Sequence, residues 1–249
     1  MILPNTRIRS RQNEQSEYSG IDSLDNCHDP DHFAKYPYNI EYQYNSRGFR
    51  DQEWPDNLSD CIWCIGDSFT SGVGVPYAHT WAQVLQQRTG RRTINVSLDG
   101  GSNNWIARQV QVIREALDPK HIIVHWSYSH RREKELSEVL KPLRQIYLNG
   151  QFQEKFDIWI ERYDLESARR IQFTESTADE DLENIQNCID LAGKVIHSFI
   201  PQWHLEPANL TFDCDTVIPE FEILDLARDG HHYDILTSQS FVDQILKYL

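Results

Sequence analysis

Cys61-Ile62-Trp63-Cys64-Ile65 is an unbroken apolar run, and Gly66-Asp67-Ser68-Phe69-Thr70 follows it directly. A short apolar run closed by a turn residue reads as a strand buried on both faces. Gly66 ends that strand and Ser68 sits just beyond it. Far downstream, Asp229-Gly230-His231-His232 places a carboxylate three residues before a histidine. Serine, histidine and an acid are the parts of a nucleophilic acyl-transfer site. The serine attacks, the imidazole takes its proton, and the carboxylate holds the ring in the right tautomer.

Working outward from Cys61, strands and helices alternate. Strand one is expected over 61–66. A helix near 78–89 carries Trp81, Val84 and Leu85 on one face. Strand two covers 93–98, and the helix at 103–117 spaces Ile106, Val110, Ile113 and Leu117 at helical period. Strand three is 121–127, and an amphipathic, irregular helical insertion is expected over 132–172. The helix at 178–192 starts after Thr177 with acidic residues in its first turns, which suit the helix dipole. Strand four, 194–200, stops at Pro201. Strand five is expected over 219–225, and a closing helix over 238–249 docks through Phe241, Ile245 and Leu249.

Strands separated by helices imply a mostly parallel, five-stranded sheet in an α/β fold. Ligands of such sheets bind at the carboxyl ends of the strands, where Ser68, Gly100 and Ser129 all fall. Upstream, residues 1–35 are polar and read as a mobile or draped arm. Tyr36 to Tyr44 alternates aromatic and polar residues as an edge strand would, and Asn45 to Asp51 reads as a turn. No internal repeat is visible, and residues 1–249 are read as one domain.

Two residues after Ser68 stands Thr70, so the small residue that a G-x-S-x-G elbow needs is absent. Gly66-Asp67-Ser68-Phe69-Thr70 instead resembles the first block of the SGNH (GDSL-type) esterase/lipase superfamily. Asn95-Val96-Ser97-Leu98-Asp99-Gly100-Gly101-Ser102 resembles the second, and Asp229-Gly230-His231-His232 resembles the last, D-G-x-H. The blocks come in the family's order and span Cys61 to the C-terminus. The Asn45-Ser46-Arg47-Gly48-Phe49-Arg50 segment is similar to one that precedes the first block in some members. The resemblance implies a three-layer α/β/α, flavodoxin-like fold. It also implies roles: Ser68 as nucleophile, His232 as base, Asp229 orienting His232, and the N–H groups of Ser68 and Gly100 as oxyanion donors.

One block departs. The family's third block, G-x-N-D, carries an oxyanion-hole Asn. Here strand three runs into Ser127-Tyr128-Ser129-His130-Arg131-Arg132-Glu133, without Gly or Asn. Ser129 is the nearest positional stand-in and Ser127 the second. A hydroxyl supplies one donor, and losing one oxyanion donor costs about 10²–10³ in rate.

The formal charge of -14 over 249 residues argues against a nucleic-acid partner and against an anionic membrane surface. Five cysteines without framework spacing read as reduced thiols, and Cys61 and Cys64 as core thiols within a strand. His121, His125 and His130 flank strand three without metal-site spacing, so neither metal nor cofactor is expected. Arg131, Arg132 and Glu133 read as a solvated helix start, with one arginine held in reserve for an anionic or sugar-like substrate. Without a signal-peptide core or a membrane-length apolar run, a soluble chain is expected, cytoplasmic or part of a particle. The expected activity is hydrolysis of a small acyl ester, with acetyl on a carbohydrate as one option. The rival expectation is an SGNH-fold binding or assembly module, as a homo-oligomer or within a larger assembly.

Overall fold

A computed structural model describes residues 6–8, 11–133, 177–201, 210–212 and 216–249. Beyond Glu133, the expected helical insertion lies outside them. In chain order the strands are β1 (Gln15–Ser16), β2 (Tyr42–Gln43), β3 (Ile62–Gly66), β4 (Thr93–Ser97), β5 (His121–Trp126) and β6 (Ile196–Phe199). The helices are α1 (Pro30–Lys35), α2 (Ser68–Ser71), α3 (Trp81–Thr89), α4 (Asn103–Leu117), α5 (Ala178–Ala192) and α6 (Ile235–Ile245).

The main sheet has the order β4-β3-β5-β6, and every pair is parallel. Successive side chains of a strand point to opposite faces, and both faces here are covered. Trp63 and Ile65 pack with Ile106, Val110 and Ile113 of α4 and with Ile185 and Ile189 of α5. Ile62 and Cys64 pack with Trp81 and Leu85 of α3 and with Phe241 and Val242 of α6. The result is three layers, helix on sheet on helix. The helix starts follow local chemistry: the hydroxyls of Ser102 and Thr177 accept from Trp105 N–H and Glu180 N–H and cap α4 and α5.

Two expectations change, and a third resolves between its two alternatives. Residues 219–225 do not form a strand. Val217 makes one parallel bridge to His197, and Ile218 N–H donates to His197 O, after which Pro219 has no N–H to continue a ladder. The N–H groups of Leu224 and Asp225 go instead to Thr237 Oγ1 at 2.9 and 3.0 Å, at the start of α6. The sheet therefore has four strands among the described residues, not five. The closing helix begins at Ile235 rather than 238, because the Asp225 carboxylate accepts from Leu236 N–H and Thr237 N–H at 2.8 Å each. Finally, the described part of the N-terminal segment is draped and docked: Thr6, Ile8 and Asp22 are buried, β1 pairs antiparallel with β2, and α1 follows. Among the described residues no helix is long and apolar enough to cross a membrane.

Candidate active site

The site sits at the carboxyl ends of β3, β4 and β5. Asp67 caps α2, with its Oδ1 accepting from Phe69 N–H at 3.0 Å, so the chain turns sharply as it leaves β3. Thr70 and Ser71 N–H donate to Asp67 O. The Ser68 N–H has no partner among the described residues and is left as an available donor at the helix start. Gly100, on the loop after β4, is buried and has a φ of 63°, a left-handed conformation that suits glycine.

Ser68, His232 and Asp229 come together. Ser68 Oγ lies 2.8 Å from His232 Nε2, and His232 Nδ1 lies 2.6 Å from Asp229 Oδ2. A carboxylate only accepts, so Nδ1 carries the ring proton and Nε2 is left to accept from the serine hydroxyl. Asp229 Oδ1 also accepts from the N–H groups of His231 and His232, at 2.9 and 3.0 Å. Burial pushes the Asp229 carboxyl up, but the His232 ring and these amides outweigh it and hold the carboxyl below its ordinary value. All three side chains are buried. Against them lies Phe69, its ring centroid 4.5 Å from that of His232 and 4.6 Å from that of Tyr233.

His231 points elsewhere. It stacks on His28 with centroids 4.7 Å apart, and its Nε2 lies 3.3 Å from Tyr128 OH. Burial, with the nearby His232 and His28, pushes its imidazole down to about 4. The ring is therefore neutral at pH 7.

The departing third block has a different arrangement. Ser127 Oγ donates to Asp67 Oδ2 at 2.6 Å, and Arg131 donates to the same oxygen at 2.8 Å and to Ser127 Oγ at 3.1 Å. Asn103, at the start of α4, accepts from Ser127 N–H and donates to Tyr128 O. The hydroxyl that reaches the Ser68 turn is thus that of Ser127. Ser129 is buried on the same loop. Arg131 is an ion-pair partner of Asp67, and Arg132 pairs with Glu180 and Asp181, so neither is a bare solvated charge. Beside Phe69 and His231 opens a cavity of about 420 Å³, whose walls include Tyr128, Ile200, Ile223 and Leu226.

Sequence reasoning missed His28, Tyr128 and the Asp67–Arg131 pair. Tyr128 stood in the departing block and was signalled by position alone. His28 carried no signal, since only the folded chain brings it to His231.

No protein-family model matches this chain, and no curated protein matches it in sequence. Solved structures resemble it at low identity. TesA matches at 11% identity and TM-score 0.44, over 75% of this chain and 96% of that one. The psychrotrophic esterase EstA from Pseudoalteromonas sp. matches at 14% and TM-score 0.43, over 76% and 98%. A carbohydrate esterase family 2 enzyme from Corynascus thermopiles (Myceliophthora fergusii) matches at 12% and TM-score 0.37, over 84% and 69%. At these scores the likenesses carry no argument; the fold rests on the strand order and register, and the site on its own geometry.

Proposed function

We propose that this chain is a serine hydrolase of small carboxylic esters, with an SGNH-like site. The observation that carries the reading is the unbroken relay from Ser68 Oγ through His232 to Asp229, at 2.8 and 2.6 Å. Ser68 attacks the ester carbonyl as His232 Nε2 takes its proton. Asp229 orients the ring and stabilises the imidazolium that forms. The N–H groups of Ser68 and Gly100 are the proposed donors to the developing oxyanion, with Ser129 as the third candidate. His232 then protonates the leaving alcohol, and water releases the acyl group by the same steps in reverse. No cofactor enters this scheme. We assign the acyl group to the cavity beside Phe69 and His231, the residues next to Ser68 and His232; it is roomier than an acetyl requires.

A second reading is a binding or assembly module on the same fold. One observation favours it: the third block lacks the family's Asn, and Ser127 is engaged with Asp67. Turnover of p-nitrophenyl acetate and butyrate by wild type and Ser68→Ala separates the two. The esterase reading expects saturable turnover that disappears in Ser68→Ala, and an organophosphonate adduct mapped to Ser68. Equal rates for both proteins, with no adduct, would leave the module.

A further inference from the structure

We infer that Asp22, in the N-terminal segment, is a positioning residue that sets the Ser68–His232 distance by tying together the two loops that carry them. The inference rests on the esterase reading for its kinetic consequences and on geometry for the rest. Asp22 is a fully buried carboxylate that takes no part in the relay. Its two oxygens accept a fork from Arg228, Oδ1 from Nε at 2.8 Å and Oδ2 from NH2 at 2.7 Å. Arg228 is the residue immediately before Asp229. Asp22 Oδ2 also accepts from Tyr42 OH at 2.5 Å, and that hydroxyl in turn accepts from Gly74 N–H at 2.8 Å. Gly74 lies on the loop leaving α2, the helix that begins at Ser68.

One carboxylate therefore holds the nucleophile's loop through Tyr42 and the acid–base loop through Arg228. The two loops also touch: Arg228 N–H donates to Gly74 O at 2.9 Å. A Cβ at Gly74 would lie 2.8 Å from Ala227 Cβ and 3.1 Å from Asp229 Oδ2. Such close contact passes any shift of one loop directly to Asp229 on the other. The clamp is rigid on both sides. The guanidinium of Arg228 lies over Phe33, and that of Arg50 lies over Tyr42 while donating to the carbonyls of Ser71, Gly72 and Val75. A bidentate arginine–carboxylate pair fixes direction as well as distance, and a lysine cannot reproduce it.

The test uses the full chain. Asp22→Ala and the milder Asp22→Asn and Arg228→Lys are compared with wild type in p-nitrophenyl ester kinetics. A second readout is the low-field proton NMR signal of the imidazole N–H shared between His232 and Asp229, which needs no catalysis. A misplacement of about 1 Å costs about 10²-fold. The expectation is therefore a kcat loss of that order in Asp22→Ala, with KM within about twofold, and a smaller loss in Arg228→Lys. The shared-proton signal should move or broaden in step. Ile113→Ala, a core truncation far along α4, controls for lost stability and should keep its kcat. If Asp22→Ala does not fold, the two milder variants decide by the same criteria. Variants with kcat within about twofold of wild type and an unmoved signal would overturn the inference, as would an equal kcat loss in Ile113→Ala. Should wild type neither turn over ester nor take the phosphonate, the esterase reading fails by itself. The NMR signal then decides alone: displaced in the variants, it upholds the clamp, and unmoved, it removes it.

Discussion

At the Ser68 hydroxyl the arrangement leaves one proton path, because the only nitrogen of His232 able to accept is the one facing it. Replacing Asp229 by Asn puts an N–H donor opposite Nδ1 and favours the wrong tautomer. Asp229→Asn should therefore lower kcat by about 10⁴ with the fold intact, as comparable relays do, which steady-state kinetics beside a circular dichroism spectrum would check. His231→Ala should lose far less than His232→Ala, since His231 addresses Tyr128 and His28 rather than Ser68; the reverse order would mean the wrong base was named. In the third block, Ser127→Ala removes one of two side-chain donors to Asp67 Oδ2 and leaves Arg131 as the other. It should cost less than the loss of an oxyanion donor, about 10²–10³, and a larger loss would make Ser127 the working donor in place of Ser129. The relay was legible because Asp229 and His232 lie three residues apart on one loop and Ser68 stands just beyond the end of a strand. The Asp67–Ser127–Arg131 cluster was not, because no local pattern says which of several polar side chains beyond β5 turns inward.

Elements with their own end signals were read most closely. Helices α4 and α5 start where Ser102 and Thr177 cap them, and both run over the expected residues, chosen by helical period for α4 and by the Thr177 start and acidic first turns for α5. The α6 start was misplaced because its cap is remote: Asp225 supplies the acceptors, while Asp234, at the cap position itself, has no side-chain cap bond. That same remote bond network explains the missing fifth strand. Pro219 stops the pairing with β6, and Thr237 takes the N–H groups that a neighbouring strand would have taken. Thr237→Val keeps shape but removes the acceptor for two amides. It should destabilise the fold by about 1–2 kcal/mol, read as a lower urea midpoint with an unchanged slope. Tyr233 and the acid–base loop lie between Asp225 and α6, so faster hydrogen exchange should appear there first. A Thr237→Val protein with the wild-type midpoint would show that water replaces the hydroxyl at no cost.

Over the whole molecule, buried imidazoles and one buried carboxyl pull stability in opposite directions as pH falls. The outward-reading parts of the sequence, charge and alternation, say nothing of this, because it depends on which titratable groups the layers enclose. Burial pushes His125 down to about 3 and His197 down to about 4. His197 Nδ1 accepts from Trp126 Nε1 at 3.1 Å, so a proton there would face another donor. Between the ordinary imidazole value of about 6.5 and these lowered values, the unfolded chain binds protons that the folded one refuses. Stability from each group is therefore whole above about pH 6.5 and lost on acidification, at about 1.4 kcal/mol per pH unit. His231, also lowered, adds in the same direction. Asp51 opposes them. Burial raises its carboxyl from 3.8 to about 6 against the pull of Arg92, so the folded chain takes up that proton first and gains stability between those values. The two fully enclosed imidazoles against the one carboxyl leave a net loss of about one proton's worth, about 1.4 kcal/mol per unit, from pH 6 to 4, and half-buried His231 steepens it further. Urea midpoints measured from pH 7.5 to 4 should be level at the top and fall steadily below about 6.5. In His125→Gln the fall should be shallower, because one of the refused protons is gone. In Asp51→Asn it should be steeper, because the opposing group is gone. A wild-type midpoint that holds from pH 7 to 4.5 would mean that His125 and His197 accept protons without unfolding. The enclosure that the layered core imposes on them would then be looser than their contacts require.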